Sequence, residues 1–177
     1  KAPSILQVPG AKDVSVEFHT LSKSYSLAGW RLGFAVGNHE ILASLAKTKS
    51  YVDFGIFRAI QAAAIKALLG PQDYVRQTVE TYRKRRDVFV GGLQKIGWKV
   101  PMPKSTFYVW AGIPLKFSAL TSLEFATLMM QEAGVVAAPG TGFGEYGEGF
   151  VRFALVEPEA RLKDAVRRIE RVLQMES

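Results

Sequence analysis

Residues 14–37 read VSVEFHTLSKSYSLAGWRLGFAVG, a stretch in which two apolar segments flank a short polar one. In the first segment, 14–19, apolar and polar side chains alternate with the period of two that a β-strand produces. Small and hydroxyl-bearing residues over 20–26 predict a loop, and the apolar run over 29–37 predicts a second strand. The sequence therefore predicts a strand-loop-strand unit with Lys23 at its mouth.

Beyond this unit, predicted helices alternate with further strands. Apolar residues recur at helical intervals in five segments, which are 39–49, 56–69, 72–97, 122–133 and 158–175. Further strands are predicted over 106–111, 135–138 and 149–156. This order predicts the α/β class, with one layered unit over 1–70, a long connecting helix over 71–97 and a smaller domain over 98–177.

The composition limits the kinds of protein that the chain can be. Hydrophobic residues make up 48% and charged residues 22%, as in folded globular proteins. No apolar run approaches the roughly 18 residues of a membrane span, and the start lacks the apolar core of a secretion signal. We therefore expect a soluble, cytoplasmic protein without a membrane partner. Because the first residue is Lys1 and not methionine, we also expect the chain to be part of something longer.

Cysteine is absent and only two histidines occur. The first fact excludes disulfides, thiolate metal sites and a cysteine nucleophile, and the second argues against a histidine-based metal site. We therefore predict that no metal is bound, and any chemistry must depend on other groups.

The net charge of +7 suggests an anionic partner. The densest basic run, Arg83–Arg86, lies in a helical pattern between Glu80 and Asp87. No aromatic stacking platform or RNA-binding signature accompanies it, so a solvated helix face is the better interpretation. We expect no nucleic-acid partner.

The glycine-rich stretch 139–149 contains Gly142, Gly144 and Gly147 at the spacing of a dinucleotide-binding fingerprint. That fingerprint requires a following helix, because the pyrophosphate binds at the helix N-terminus. Here a strand is predicted to follow. A flexible loop beside a site is therefore the preferred interpretation.

The residues around Lys23 are of a kind that binds phosphate. Thr20 and Ser22 supply hydroxyl groups, and Arg31 follows a Gly-Trp turn that can return its guanidinium towards the loop. Hydroxyls and a guanidinium fork suit a phosphate dianion, and an adjacent lysine suits the aldehyde of pyridoxal phosphate, with which it forms a Schiff base. The alternative, a solvated surface lysine, is far more frequent among lysines in general.

The segment SKSYSLAGWRLG, residues 22–33, resembles the cofactor-lysine signature of the class I/II aminotransferases, which have the fold type I architecture of pyridoxal-phosphate-dependent enzymes. The resemblance continues through 101–110 and 139–155, so it extends over nearly the whole chain. It implies that 1–70 is the C-terminal part of the large, cofactor-binding domain and that 98–177 is the small domain.

The resemblance also implies roles for single residues. Lys23 would bind the cofactor as a Schiff base and would later move a proton, while Thr20, Ser22 and Arg31 would hold the phosphate. Arg152 would bind the substrate α-carboxylate.

Two of these assignments leave room for structural roles. Arg152 lies in a strand with Val151 and Phe153 on the opposite face, and its alternative role is a surface charge at a sheet edge. Phe107 lies in a segment that lines the substrate pocket in the family, although aromatic residues at such positions are more often core. The same caution applies to the aromatic residues Tyr25, Trp30 and Tyr108, and His19 is expected to be a packing or strand-end residue.

A protein of this family would exchange an amino group between an amino acid and a 2-oxo acid. The family's other cofactor contacts would precede residue 1, so the chain alone should be inactive and its partners should be that N-terminal part and a second subunit of a homodimer. The amino-acid sequences of the motifs most resemble those of LL-diaminopimelate, alanine and aspartate aminotransferases. The alternative is a non-catalytic binding or interaction module that has kept the fold.

Overall fold

A computed structural model describes residues 3–175 of the chain. The chain divides into two compact units, and the division falls between Thr78 and Val79. They are called here the N-terminal unit and the C-terminal unit. The domain bounds expected from the sequence, 1–70, 71–97 and 98–177, stay a prediction.

Two short antiparallel strands organise the N-terminal unit. Strand β1 (Val16–Thr20) pairs with β2 (Gly33–Gly37), so that Thr20 faces Gly33 across the ladder. The helices of this unit are α1 (Ala11–Val14), α2 (His39–Val52), α3 (Arg58–Leu69) and the beginning of α4 (Asp73–Lys95). Helix α2 begins where it does because Asn38 Oδ1 accepts a hydrogen bond of 2.9 Å from Ile41 N.

The second predicted strand is shorter than expected. The chain forms a 3-10 turn over Ala28–Trp30, in which Trp30 N donates to Leu27 O at 3.1 Å, and β2 begins only at Gly33. Gly33 must be glycine, because a Cβ atom there would lie 2.5 Å from His19 O on the paired strand.

A three-stranded antiparallel sheet with the order β3-β5-β4 organises the C-terminal unit. Its strands are β3 (Tyr108–Gly112), β4 (Ala138–Pro139) and β5 (Phe150–Ala154), and its helices are the rest of α4, α5 (Ser122–Ala133) and α6 (Glu159–Gln174). One face of the sheet is buried against the helices and forms the core with residues including Phe89, Leu93, Val109, Phe125, Val151 and Ile169. Among residues 3–175, no helix is both long and apolar enough to cross a membrane.

The two ends of α5 match the predicted bounds. Thr121 and Glu124 form a capping box at its start, and Gly134 ends it with a left-handed φ of 58°. The following segment was expected to be a strand over 135–138, but Val135 N still donates to Met129 O of the helix. Strand β4 is therefore only two residues long, and its Pro139 is tolerated because β4 is an edge strand.

Candidate active site

The segment 21–32, here called the lysine loop, connects β1 to β2. Its ends are joined by a hydrogen bond of 3.2 Å from Leu21 N to Leu32 O. Both leucine side chains are buried and pack against α3 in a small core. Leu21 and Leu32 thus form the neck of the loop, and of the residues next to them in the sequence Ser22 is half-buried and Arg31 is exposed.

The neck of the lysine loop carries a pair of coupled hydroxyl groups. Thr20 Oγ1 donates to Ser22 Oγ at 2.9 Å, and Ser22 N donates to Thr20 Oγ1 at 3.1 Å. This local pattern is the one that hydroxyl side chains form at turns. It holds both oxygens together on the exposed side of the strand end, where they can turn towards an anion.

Arg31 has a backbone conformation that is uncommon for a residue other than glycine. Its φ is 52°, in the left-handed region, and its Nη1 donates to Ala28 O at 3.1 Å. The side chain is exposed. Left-handed non-glycine residues are enriched at ligand-binding sites, so the strain at Arg31 points to a functional role for the guanidinium.

Lys23 lies on a turn within the lysine loop. Tyr25 N donates to Leu21 O at 3.2 Å, which closes this turn, and the Lys23 side chain is exposed. Tyr25 anchors the loop, because its hydroxyl donates to Gln72 Oε1 at 2.8 Å and Gln72 Nε2 in turn donates to Gly70 O at 2.8 Å. The loop that carries Lys23 is thus tied to the segment that joins α3 to α4.

The donor set of the lysine loop fits pyridoxal phosphate. Two hydroxyls and one guanidinium are groups of the kind that bind a phosphate dianion, and the lysine lies in the same loop as Ser22 and Arg31. Of the predicted site residues, Thr20 at the end of β1 and Ser22 are joined by hydrogen bonds, while Lys23 and Arg31 lie elsewhere in the lysine loop. The roles expected for all four stay predictions.

Arg152 lies in the C-terminal unit, on β5. Its strand neighbours Val151 and Phe153 are 0% and 3% exposed, so the prediction that they occupy the opposite face is confirmed. Arg152 is half-buried, and its Cζ lies over two aromatic rings, 4.2 Å from the ring centroid of Tyr108 and 4.1 Å from that of Phe143. These distances are within the range of cation–π contacts.

Phe107 contacts other aromatic rings and not only the core. Its ring stacks on Tyr82 with a centroid distance of 5.0 Å and lies 4.4 Å from the ring of Tyr108. The side chain is half-buried and packs against the core of the C-terminal unit. The substrate contact expected for Phe107 stays a prediction.

The burial of the other aromatic residues agrees only partly with what the sequence predicts. Trp30 is 45% exposed, so the expectation that it belongs to the core is wrong: the 3-10 turn over Ala28–Trp30 directs it outward. Tyr25 and Tyr108 are half-buried. His19 stacks on Phe34 with a centroid distance of 5.0 Å and contacts Glu17 Oε1 at 2.8 Å, which is a packing role near the strand end.

Sequence reasoning missed the contribution of Phe143. This residue lies in the glycine-rich stretch, where no periodic pattern indicates which way a side chain points. The glycines themselves serve a tight closure: a Cβ on Gly140 would lie 1.9 Å from Gly147 O, and a Cβ on Gly147 would lie 1.9 Å from Gly140 O. Strand β5 follows the stretch, as predicted, and this closure accounts for two of its glycines without a nucleotide.

The basic run on α4 is only partly a solvated face. Arg85 Nη1 donates to Val156 O at 2.9 Å and Arg86 Nη1 donates to Pro103 O at 3.0 Å, while Arg83 pairs with Glu80. Two of its cations are therefore structural, because they satisfy backbone carbonyls.

Comparisons with known proteins give a consistent result. The family described as aminotransferase class I and II matches residues 4–169. The chain is 56% identical over 170 residues to the glutamate-pyruvate aminotransferase AlaC of Escherichia coli K12, and the match covers 96% of this chain and 41% of that protein. It is 46% identical over 173 residues to an LL-diaminopimelate aminotransferase of Moorella thermoacetica, covering 98% and 44%. The chain thus spans less than half the length of these curated relatives.

Solved structures agree with the sequence matches. A probable N-succinyldiaminopimelate aminotransferase from Thermus thermophilus is 40% identical and superposes with a TM-score of 0.88, over 97% of this chain and 45% of its own. An aromatic aminotransferase from Pyrococcus horikoshii is 33% identical with a TM-score of 0.88, over 97% and 46%. The fold class predicted from the sequence is confirmed, as part of that larger fold.

Proposed function

The chain belongs to the aminotransferase class I and II family, and we propose on that premise that it is the C-terminal part of a pyridoxal-phosphate-dependent aminotransferase. The observation that carries this proposal is the lysine loop with the end of β1, where the hydrogen-bonded hydroxyls of Thr20 and Ser22 accompany Lys23 and the guanidinium of Arg31. A non-catalytic module that has kept the fold is not favoured, since the relatives named above are aminotransferases.

Thr20 and three residues of the lysine loop would bind different parts of the cofactor. Thr20 and Ser22 donate hydroxyl hydrogens to the phosphate, and Arg31 adds charge-assisted bonds from its planar fork. Lys23 binds the cofactor through its Nζ and, once released, moves a proton to or from the substrate α-carbon. When bound, pyridoxal phosphate supplies a ring that stabilises negative charge at that carbon.

Arg152 binds the substrate carboxylate in this proposal. Its guanidinium contacts the rings of Tyr108 and Phe143, and the edge of the fork is the part that suits two parallel hydrogen bonds to a carboxylate. Phe107 is proposed to line the same carboxylate site through its contact with Tyr108.

The substrates are an amino acid and a 2-oxo acid. Because a relative at 56% identity is named a glutamate-pyruvate aminotransferase, we place L-alanine with 2-oxoglutarate first and LL-diaminopimelate second. The complete enzyme is proposed to be a cytoplasmic homodimer. The N-terminal part, which the relatives' greater length suggests, would supply the remaining cofactor contacts.

The test is an amino-transfer assay on the complete enzyme with Lys23→Ala. Loss of the amine should lower kcat with L-alanine and 2-oxoglutarate by about 10²- to 10⁴-fold or more. Lys12→Ala, at an exposed lysine of α1, is the control and should leave the rate unchanged. Unchanged transamination by Lys23→Ala would refute the proposed function.

A further inference from the structure

The rings of Tyr108 and Phe143, here called the aromatic clamp, contact the guanidinium of Arg152. Their centroids lie 4.2 and 4.1 Å from Arg152 Cζ. A guanidinium in close contact with two aromatic rings has less rotational freedom than one exposed to solvent. The direction of its hydrogen-bonding edge is then set by the rings.

Arg152 differs from five other arginines of the C-terminal unit in how its charge is compensated. Arg83, Arg86, Arg161, Arg167 and Arg168 each form an ion pair with a carboxylate, but within residues 3–175 no carboxylate pairs with Arg152. A half-buried cation without a carboxylate partner is costly unless something else compensates it. The clamp provides part of that compensation and leaves the charge available to an external anion.

The two rings are held by different elements. Tyr108 is the first residue of β3 and pairs with Ala154 of β5, so the sheet itself fixes its backbone next to Arg152. Phe143 lies in the segment 140–149, here called the glycine loop, and its ring packs on Trp110 with a centroid distance of 5.6 Å. Trp110 is the direct cross-strand partner of Arg152.

The glycine loop is fastened to the start of α5 near both of its ends. Thr141 Oγ1 and Ser122 Oγ are 3.2 Å apart, and Glu148 Oε1 accepts a hydrogen bond of 2.6 Å from Ser122 N. Ser122 is 0% exposed. The close approach of Gly140 and Gly147 then fixes the loop between these points, which holds Phe143 in place.

From this arrangement we propose that Tyr108 and Phe143 are positioning residues that set the orientation of Arg152 for a carboxylate ligand. The inference rests on the proposed function, which makes that ligand the carboxylate of the amino-acid substrate. Neither ring needs to touch the reacting atoms. Both act through Arg152, by holding its fork in the plane that receives two carboxylate oxygens.

The experiment compares Phe143→Leu with Tyr146→Leu in the complete enzyme. Tyr146 is an aromatic residue of the same glycine loop that is 92% exposed, so its variant controls for the loss of a ring. Phe143→Leu should raise the KM for the amino acid and the Kd for propionate, a carboxylate without an amino group, by roughly three- to thirtyfold. In Phe143→Leu, kcat should stay within about twofold of its original value. Phe143→Tyr, which keeps an aromatic ring, should have the KM of the unaltered enzyme.

A second readout follows Arg152 directly. Ring currents of Tyr108 and Phe143 should shift the NMR signals of its guanidinium protons upfield, and Phe143→Leu should remove part of that shift while Tyr146→Leu should not. If Phe143→Leu leaves KM, the propionate Kd and the Arg152 signals unchanged, the aromatic clamp has no positioning role. Arg152→Lys tests the carboxylate contact separately from the aromatic clamp. It should raise KM if Arg152 binds the substrate carboxylate, whether or not the clamp positions Arg152. An unchanged KM would refute the carboxylate contact itself.

Discussion

At the scale of single residues, Arg31 combines a strained backbone with the side chain that we propose to bind the cofactor phosphate. Ser26, in the same lysine loop, has a similar left-handed φ of 53°. Glycine relieves the strain at either position, but only Arg31→Gly removes a proposed phosphate donor. The pair therefore separates the backbone effect from the binding effect.

We expect Arg31→Gly to weaken binding of pyridoxal phosphate by roughly 10- to 100-fold, the value of one or two charge-assisted hydrogen bonds. Ser26→Gly should leave the affinity unchanged. Equilibrium dialysis in a Lys23→Ala background measures the phosphate contacts without covalent attachment. Equal affinities for the two glycine variants would show that Arg31 does not hold the phosphate.

The sequence indicates which residue types could form a site more readily than it indicates which side chains contact each other. The sequence could propose Lys23, Thr20, Ser22 and Arg31 together because they lie in one short segment, and their roles stay predictions. The partners of Arg152 could not, because Phe143 comes from a loop whose path depends on the Gly140–Gly147 contact, which no local pattern reports.

At the scale of elements, the glycine loop depends on close backbone contact. Gly147→Ala places a methyl group 1.9 Å from Gly140 O, whereas a Cβ at Gly142 meets nothing within 4 Å. We expect Gly147→Ala to destabilise the protein by about 1–3 kcal/mol and to raise KM as Phe143 leaves Arg152. Gly142→Ala should change the free energy of unfolding by less than about 0.5 kcal/mol. Urea denaturation of the complete enzyme measures both, and equal effects would contradict the described closure.

The attachment of this loop to α5 should depend on pH. Hydrogen bonds from Gly149 N and Ser122 N hold the pKa of Glu148 below its ordinary value of 4.5. A carboxylate with a lowered pKa stabilises the fold above about pH 4.5, and this contribution is lost as the pH falls through the lowered value.

Glu148→Gln should therefore lower Tm at neutral pH, and the difference from the unaltered protein should shrink as the pH falls through the lowered pKa of Glu148. Glu132→Gln, at an exposed position near the end of α5, is the control. Thermal unfolding monitored by circular dichroism gives both values. A Tm difference that stays constant from neutral to acid pH would show that the Glu148 carboxylate does not stabilise the loop.

The bounds of α5 could be predicted from the sequence, whereas those of β4 could not. Helix α5 was predicted with its observed ends because its capping box and its terminal glycine are local signals. Strand β4 was overestimated because the apolar run 135–138 is consistent with a strand, while a hydrogen bond back to the helix takes its first residue. Tertiary contacts decided that case, and sequence periodicity does not record them.

At the scale of the whole molecule, the N-terminal unit exposes large apolar side chains. Tyr51, Phe54, Phe57 and Leu69 are 84%, 110%, 73% and 84% exposed. Apolar surface of this extent suggests a covering partner. Since the chain spans 41% of a curated relative, we propose that the N-terminal part of the enzyme covers some of it.

We therefore expect the 177-residue chain alone to bind the dye ANS and to show no transamination with added pyridoxal phosphate. A chain extended to the length of the relatives should bind less dye and be active. Fluorescence titration and the amino-transfer assay measure the two properties. Full activity of the 177-residue chain by itself would contradict the proposal that it is an incomplete enzyme.

The most direct test of the central claim is peptide mapping after borohydride reduction of the complete enzyme loaded with pyridoxal phosphate. We expect the reduced cofactor to be attached to the peptide that contains Lys23. Its attachment to another lysine, or to no lysine at all, would contradict the assignment of Lys23 as the residue that binds the cofactor.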